Sequence, residues 1–156
     1  MRTHAEKADD FVRESNRIEG IHRDPSASEV EAFREFLDLP LVTVGELESL
    51  VDVFQPGARL RRTQQMNVTI GGHRPPRGGL LLITRLEEIL GYANESEWSP
   101  FKTHCAYETL HPFMDGNGRS GRALWAWQMI HADIWPRLDL GFLHAFYYQT
   151  LSETRS

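Results

Sequence analysis

The chain has 156 residues, 40% of them hydrophobic, with 17 Lys+Arg against 22 Asp+Glu and a net charge of −5; that is enough for one domain with a core of its own. The charge balance argues against direct nucleic-acid binding, and no apolar run approaches the ~20 residues of a membrane span. The single cysteine, Cys105, excludes an internal disulfide, and with an opening stretch that lacks an apolar signal segment it fits a reducing, cytoplasmic compartment.

In chain order, Ala5 to Glu19 reads as a polar helix with a narrow apolar stripe of Ala8, Phe11, Val12 and Ile18, the kind that decorates a surface. Gly20 ends it as a C′ residue. Past a linker from His22 to Ser26, Ser28 and Glu31 form a capping box. A helix follows with Val30, Phe33, Phe36 and Leu37 on one face, ending near Leu39-Pro40. Thr43 and Glu46 form a second capping box before Val44, Leu47, Leu50, Val51 and Phe54. Met66-Asn67-Val68-Thr69-Ile70 alternates apolar and polar, which predicts a strand, bounded by Gly71-Gly72 and Pro75-Pro76. It belongs to a short β-hairpin over roughly Leu60 to Ile70, which must pack on a helical body to be stable. Gly79 to Ala93 is a helix carrying Leu80, Ile83, Leu86 and Leu90, and Thr103 to Leu110 is another, with Cys105 a small core residue in it. Ala123 to Ile130 is a buried helix, with Trp125 and Trp127 in the core. Leu140, Leu143, Phe146, Tyr147 and Leu151 define a last helix after Pro136. The expected fold is one all-α domain over 1–156 with a single β-hairpin.

The chemistry concentrates in His111-Pro112-Phe113-Met114-Asp115-Gly116-Asn117-Gly118-Arg119-Ser120-Gly121-Arg122. Pro112 turns His111 away from helix, so His111 opens a loop. Asn117 is a good N-cap for the next helix, and Gly116 and Gly118 let the backbone turn and approach a ligand closely. Free amides at a helix N-terminus make an anion site. Arg119 and Arg122, at i and i+3 on that first turn, are disfavoured by the helix dipole unless an anion compensates them. A triphosphate would satisfy both arginines and the amides. Asp115 could hold Mg²⁺, which needs only one or two carboxylates beside phosphate oxygens. His111 is the side chain best suited to take a proton near neutral pH. His104, seven residues earlier, finds no further ligands at metal spacing and reads as a packed, hydrogen-bonded residue.

This string resembles the Fic (Fido) signature His-x-Phe-x-Asp/Glu-Gly-Asn-Gly-Arg-x-x-Arg at every fixed position. Pro56 to Arg62 and Val68 to Gly72 also look like the family's flap. The resemblance implies a helical core with a flap hairpin over the active site, and transfer of AMP from ATP to a hydroxyl side chain of a protein. It implies that His111 deprotonates the target Ser, Thr or Tyr and that Asp115 coordinates Mg²⁺. Gly116, Asn117 and Gly118 would form the anion hole, and Arg119 and Arg122 would hold the β- and γ-phosphates. Val68, Thr69 and Ile70 would dock the target segment by strand addition. Ser15-x-x-x-Glu19-Gly20 resembles the family's inhibitory motif, so residues 1–20 are expected to act as an inhibitory helix on the core, residues 21–156 with a flap near 60–72. In that reading Glu19 pairs with Arg122 and withholds it from the γ-phosphate. Relatives also suggest a homodimer.

Three other outcomes stay open on the sequence: removal of AMP, transfer of UMP, phosphate or phosphocholine, and a catalytically silent binding module. The intact Gly116-Asn117-Gly118 favours AMP over other groups, and His111 with Asp115 argues against a silent module.

Overall fold

The computed structural model describes residues 4–132. The helices are α1 (His4–Ile18), α2 (Ala27–Leu37), α3 (Val44–Phe54), α4 (Leu80–Asn94), α5 (Pro100–Leu110) and α6 (Asn117–His131). The expected helix after Pro136 lies outside the described residues.

The chain is organised around α6. From Arg119 to Met129 every residue of that helix is buried, as expected for the apolar run from Ala123 and not for the polar turn before it, because α1, α2, α3 and α5 all pack on it. Trp125 and Trp127 stand in that core, and the Trp127 indole N–H donates to Leu39 O at 2.8 Å.

α1 is not a surface decoration. Ala8, Phe11 and Val12 are buried, and the Phe11 ring stacks on Phe33 of α2 with centroids 4.8 Å apart and planes within 5°. The stripe is narrow, but one aromatic residue in it supplies much of the buried area. α1 ends in a Schellman motif, with Gly20 at φ +77°. The Gly20 N–H donates to Arg17 O and the Ile21 N–H to Asn16 O.

Several local expectations shift. The capping box is Ser26 with Glu29, not Ser28 with Glu31. Ser26 holds the extended cap conformation, and Glu29 is drawn inward by Arg23 and Asn16. Thr43 caps α3, its side chain accepting from the Glu46 N–H, without the return bond of the expected capping box. In α4 the buried face is Leu82, Leu86, Ile89, Leu90 and Ala93, while Leu80 and Leu81 are exposed. In α5 the helix starts at Pro100 behind the Ser99 cap, three residues before Thr103, and Cys105 is only partly buried.

The hairpin is a larger correction. Among the described residues there is no named strand, only two isolated antiparallel bridges, Leu60↔Phe113 and Ile70↔His73. Residues 59–61 turn to the loop after α5 instead of to residues 68–70. The Arg61 N–H donates to Pro112 O at 2.9 Å and the Met114 N–H to Arg59 O at 2.8 Å. Backbone groups that a hairpin would have paired together are thus taken by the loop that carries His111.

Candidate active site

α5 ends where His111 adopts a left-handed conformation, φ +51°. A non-glycine residue holds that conformation only where its surroundings fix it, and here they do. The His111 N–H donates to Tyr107 O at 2.9 Å. Its ring Nδ1 lies 3.0 Å from Glu108 O. A carbonyl can only accept, so Nδ1 carries the proton and Nε2 is the basic nitrogen of the ring. The half-buried imidazole is thereby held in one tautomer and one orientation.

The loop from Phe113 to Asn117 is clamped by one side chain. Asn117 Oδ1 accepts the Phe113 N–H and its Nδ2 donates to Phe113 O, both at 2.8 Å. Asn117 is therefore not the N-cap but the first residue of α6; Gly116 caps the helix at φ +79°, in a conformation that favours glycine. Its amide region is braced by Ser120, whose Oγ donates to Gly116 O and sits 2.7 Å from the Tyr107 hydroxyl. Asp115 is exposed at the mouth, and its Oδ1 accepts the Gly116 N–H at 2.8 Å.

The two arginines of α6 go to different partners. Arg119 donates to Phe54 O at 2.8 Å and to Gln55 Oε1 at 2.7 Å, placing a cation at the C-terminus of α3 where the helix dipole favours it. Its buried Nε has no acceptor among the described residues, and burial lowers its pKa although Glu19, Glu29 and Asp115 pull it up. Arg122, 1% exposed, reaches α1. Its Nε donates to Ser15 Oγ at 2.7 Å and its Nη2 to Ser15 O at 2.9 Å and to Glu19 Oε1 at 2.8 Å. The Glu19 carboxylate also lies against Gly118, so a Cβ added there would collide with Glu19 Oε1. The ion pair expected between Glu19 and Arg122 is thus present, with Ser15 completing it and Gly20 shaping the turn behind it.

These parts surround one cavity of about 570 Å³. Its walls carry Glu19, His111, Asp115, Gly116, Asn117, Gly118 and Arg119, and Val68, Thr69 and Ile70 cover one side. Arg122 stands behind Gly118, within the protein. Among the described residues no cluster of three or more His, Cys, Asp or Glu could hold a metal ion. The lone Asp115 suits a cation that takes most of its ligands from phosphate and water, as Mg²⁺ does. His104 is packed as expected: it is buried, and Nδ1 donates to Gly121 O at 3.1 Å. Burial lowers its pKa to about 4, with the hydrogen bond to Gly121 opposing and Arg122 assisting.

Sequence reasoning passed over two residues here, Arg61 and His73. Arg61 is fully buried and donates to four carbonyls: Leu110 and His111 at 2.8 Å, Pro76 at 2.7 Å and Met66 at 3.3 Å. The His73 Nε2 is 3.0 Å from Thr109 O. An arginine beside Arg59 and Arg62 looks like one of a solvated run, and no periodicity marks it. Glu108 was passed over in the same way. It reads as one more polar residue on a helix, yet it is buried in the wall of the cavity.

A family model described as Fic/DOC family matches residues 38–129. Proteins named Protein adenylyltransferase Fic from Drosophila grimshawi, Drosophila ananassae and Drosophila melanogaster are each 33% identical to the chain over 97 residues. Those alignments cover 58% of this chain and 18% of each relative, so the chain spans under a fifth of the length of the relatives it matches. The family match takes in α3 to α6 nearly whole, with the loop from His111 to Arg122 and the segment that covers it, and begins after the α1 turn that bears Glu19. Matched over more than half of its length, and carrying the signature loop complete, the chain belongs to the Fic/DOC family.

Proposed function

We propose that the protein transfers AMP from ATP to a Ser, Thr or Tyr hydroxyl of a target protein or of itself, and that Glu19 restrains the reaction. The observation that carries the reading is the convergence on one cavity of a histidine in a fixed tautomer, a carboxylate and the glycine-capped N-terminus of α6. The name of the matched relatives, protein adenylyltransferase, agrees with it.

In this reading His111 Nε2 takes the proton of the acceptor hydroxyl. The oxygen attacks the α-phosphorus, the bond from that phosphorus to the bridging oxygen breaks, and pyrophosphate leaves. The amides of Asn117 and Gly118, with that of Gly116 once Asp115 releases it, and the Arg119 guanidinium bind the phosphates. A Mg²⁺ held by Asp115 would offset phosphate charge. Val68, Thr69 and Ile70 would dock an extended acceptor segment through backbone hydrogen bonds. Positioning and electrostatics suffice, because the chain needs no covalent intermediate.

Glu19 restrains this site in two ways. It occupies Arg122, which is then withheld from the γ-phosphate, and its charge stands beside Gly118 where a phosphate would come. Incubation with ATP tagged at the α-phosphate tests the whole reading. Glu19→Gly should raise incorporation roughly 5- to 150-fold, the usual range for one coupled contact. His111→Ala in that background should lower it by about 10² or more, with a mass increment of one AMP on the acceptor. Equal incorporation by all three proteins would sink the proposal. The Glu19 carboxylate inside the cavity also suits the reverse chemistry, hydrolytic removal of AMP, which the same assay reads by chasing labelled acceptor.

A further inference from the structure

The segment over the cavity and the end of α5 are joined by side chains that no part of the proposed chemistry uses. Helix α5 leaves its last carbonyls without intrahelical donors. His111 itself satisfies two of them, its N–H bonding Tyr107 O and its Nδ1 bonding Glu108 O. The next three are satisfied from the covering segment: Thr109 O by His73 Nε2, Leu110 O by Arg61 Nη2, and His111 O by Arg61 Nε. The same guanidinium then uses Nη1 to hold Met66 O and Pro76 O. Those two residues flank Val68 to Ile70 on either side in the chain. A third tie runs through the backbone, where the Arg61 N–H meets Pro112 O. Glycine at 78 makes the closure possible, because a Cβ there would collide with Thr63 O and come within 2.7 Å of Met66 O.

We infer that Arg61 and His73 are positioning residues that lock the covering segment to the helix end bearing His111, so that acceptor and base keep one relative geometry. The inference rests on the reading of residues 68–70 as the acceptor dock. The physical case is the following. His111 sits at positive φ, and the carbonyl on its C-terminal side points to Arg61 Nε. One planar guanidinium thus fixes both the base's backbone and the two ends of the dock. A bidentate fork can do this and a lysine ammonium cannot, since it lacks the spread of donors. A cation at a helix C-terminus is also favoured by the dipole. The phosphate-binding amides of Gly116 to Gly118 take no bond from Arg61 or His73, so nucleotide binding and acceptor positioning separate.

The test uses the full chain in the Glu19→Gly background, with three variants: Arg61→Lys, His73→Leu and His73→Gln. The Gln amide reaches about as far as the imidazole Nε2 and restores the donor to Thr109 O. The readouts are incorporation from α-phosphate-tagged ATP, binding of a fluorescent ATP analogue, and amide hydrogen exchange at Arg61, Ile70 and His73. His73→Leu should lower incorporation about tenfold and His73→Gln should recover most of it. Arg61→Lys should lower it on the order of 10²-fold, as a small misplacement of reacting groups does. All variants should bind the nucleotide analogue within about twofold of the parent, and Ile70 and His73 amides should exchange faster in His73→Leu and Arg61→Lys. Unchanged incorporation and exchange in His73→Leu overturn the inference, as does a loss that His73→Gln fails to restore. Should the Glu19→Gly parent itself incorporate nothing, the transferase reading fails separately, and exchange at Ile70 and His73 decides the tie on its own. Failure of Arg61→Lys to fold leaves the decision to the two His73 variants, whose side chain is partly exposed.

Discussion

Asn117 shows how a single side chain can shape this site. Its amide faces both backbone groups of Phe113, a residue 1% exposed. Removing the amide would leave a buried N–H and a buried C=O without partners, and each such loss costs about 1–3 kcal/mol. Asn117→Ala should therefore destabilise the protein by roughly 2–4 kcal/mol and loosen the loop that carries Asp115. A denaturant melt checks this, and a variant as stable as the parent would show that the amide clamps nothing. At the same scale, Asn117 corrects the expectation that it is the cap. Gly116 takes the cap because only a residue tolerant of φ +79° fits there, and the asparagine is released for the clamp. Arg119 and Arg122 make the complementary point. Three residues apart on one helix, they direct their hydrogen bonds to different elements, Arg119 to the end of α3 and Arg122 to α1.

Among the elements, α1 carries the Glu19 contact proposed to restrain the site, and its hold on the core runs through few groups. Phe11 stacks on Phe33 and faces Trp125 with centroids 6.5 Å apart. The Glu29 carboxylate binds Asn16 of α1 on one oxygen and Arg23 and the Ser26 N–H on the other. Replacing a buried phenylalanine by alanine costs about 3–5 kcal/mol. Phe11→Ala should spend most of that on α1 alone, so that Glu19 leaves Arg122 more often. The expected result is incorporation of tagged AMP raised toward that of Glu19→Gly, with faster hydrogen exchange over residues 8–16 and little change in α5 and α6. If exchange rises evenly across all helices, α1 is part of one cooperative core and the restraint is not separable. The covering segment is the other element that departs from expectation. It has the alternation of a strand, yet its best backbone partners are the loop after α5 and its own two-glycine turn at 71–72. No helix among the described residues is long and apolar enough to cross a membrane.

For the molecule as a whole, His104 and Glu29 are two buried groups whose depressed pKa values make stability depend on pH on the acid side. Burial lowers His104 to about 4 from an ordinary 6.5. A depressed histidine contributes stability that is present above the unfolded pKa and is lost as pH falls through the folded one, so this loss spans pH 6.5 to 4. Burial pushes the Glu29 carboxyl up, but the bonds from Arg23, Ser26 and Asn16 outweigh it and hold it at about 2, against an ordinary 4.5. Its stabilisation is present above the unfolded pKa and goes as pH falls from 4.5 to 2. The His104 step should be about 3 kcal/mol, and the Glu29 step smaller, about 2 kcal/mol, because Arg23 is half exposed and solvent screens the pair. Unfolding free energies measured from pH 7 to pH 2 should fall in these two stages. His104→Asn, which keeps a donor for Gly121 O, should flatten the upper stage and leave the lower one. A parent curve that stays level from pH 6.5 to 4 would refute the first assignment.

The contact of Glu19 with Arg122, 103 residues apart, was implied by family resemblance; the sequence by itself determined the helical class and marked the loop from His111 to Arg122 as the candidate site. Each follows from local signals: apolar residues at helical spacing, a proline and glycines that fix where helices stop and start, and a signature whose residues stand close along the chain. The tertiary structure alone decided what depends on partners distant in sequence. It decided that α1 is core, because Phe33 and Trp125 are there to receive Phe11. It decided that residues 59–61 pair with 112–114, because the loop after α5 offers the Pro112 carbonyl and the Met114 N–H as backbone partners while the Arg61 side chain serves the end of α5. And it decided that one buried arginine at position 61 binds the His111 carbonyl and the covering segment together, since a charge becomes worth burying only where several acceptors converge on it.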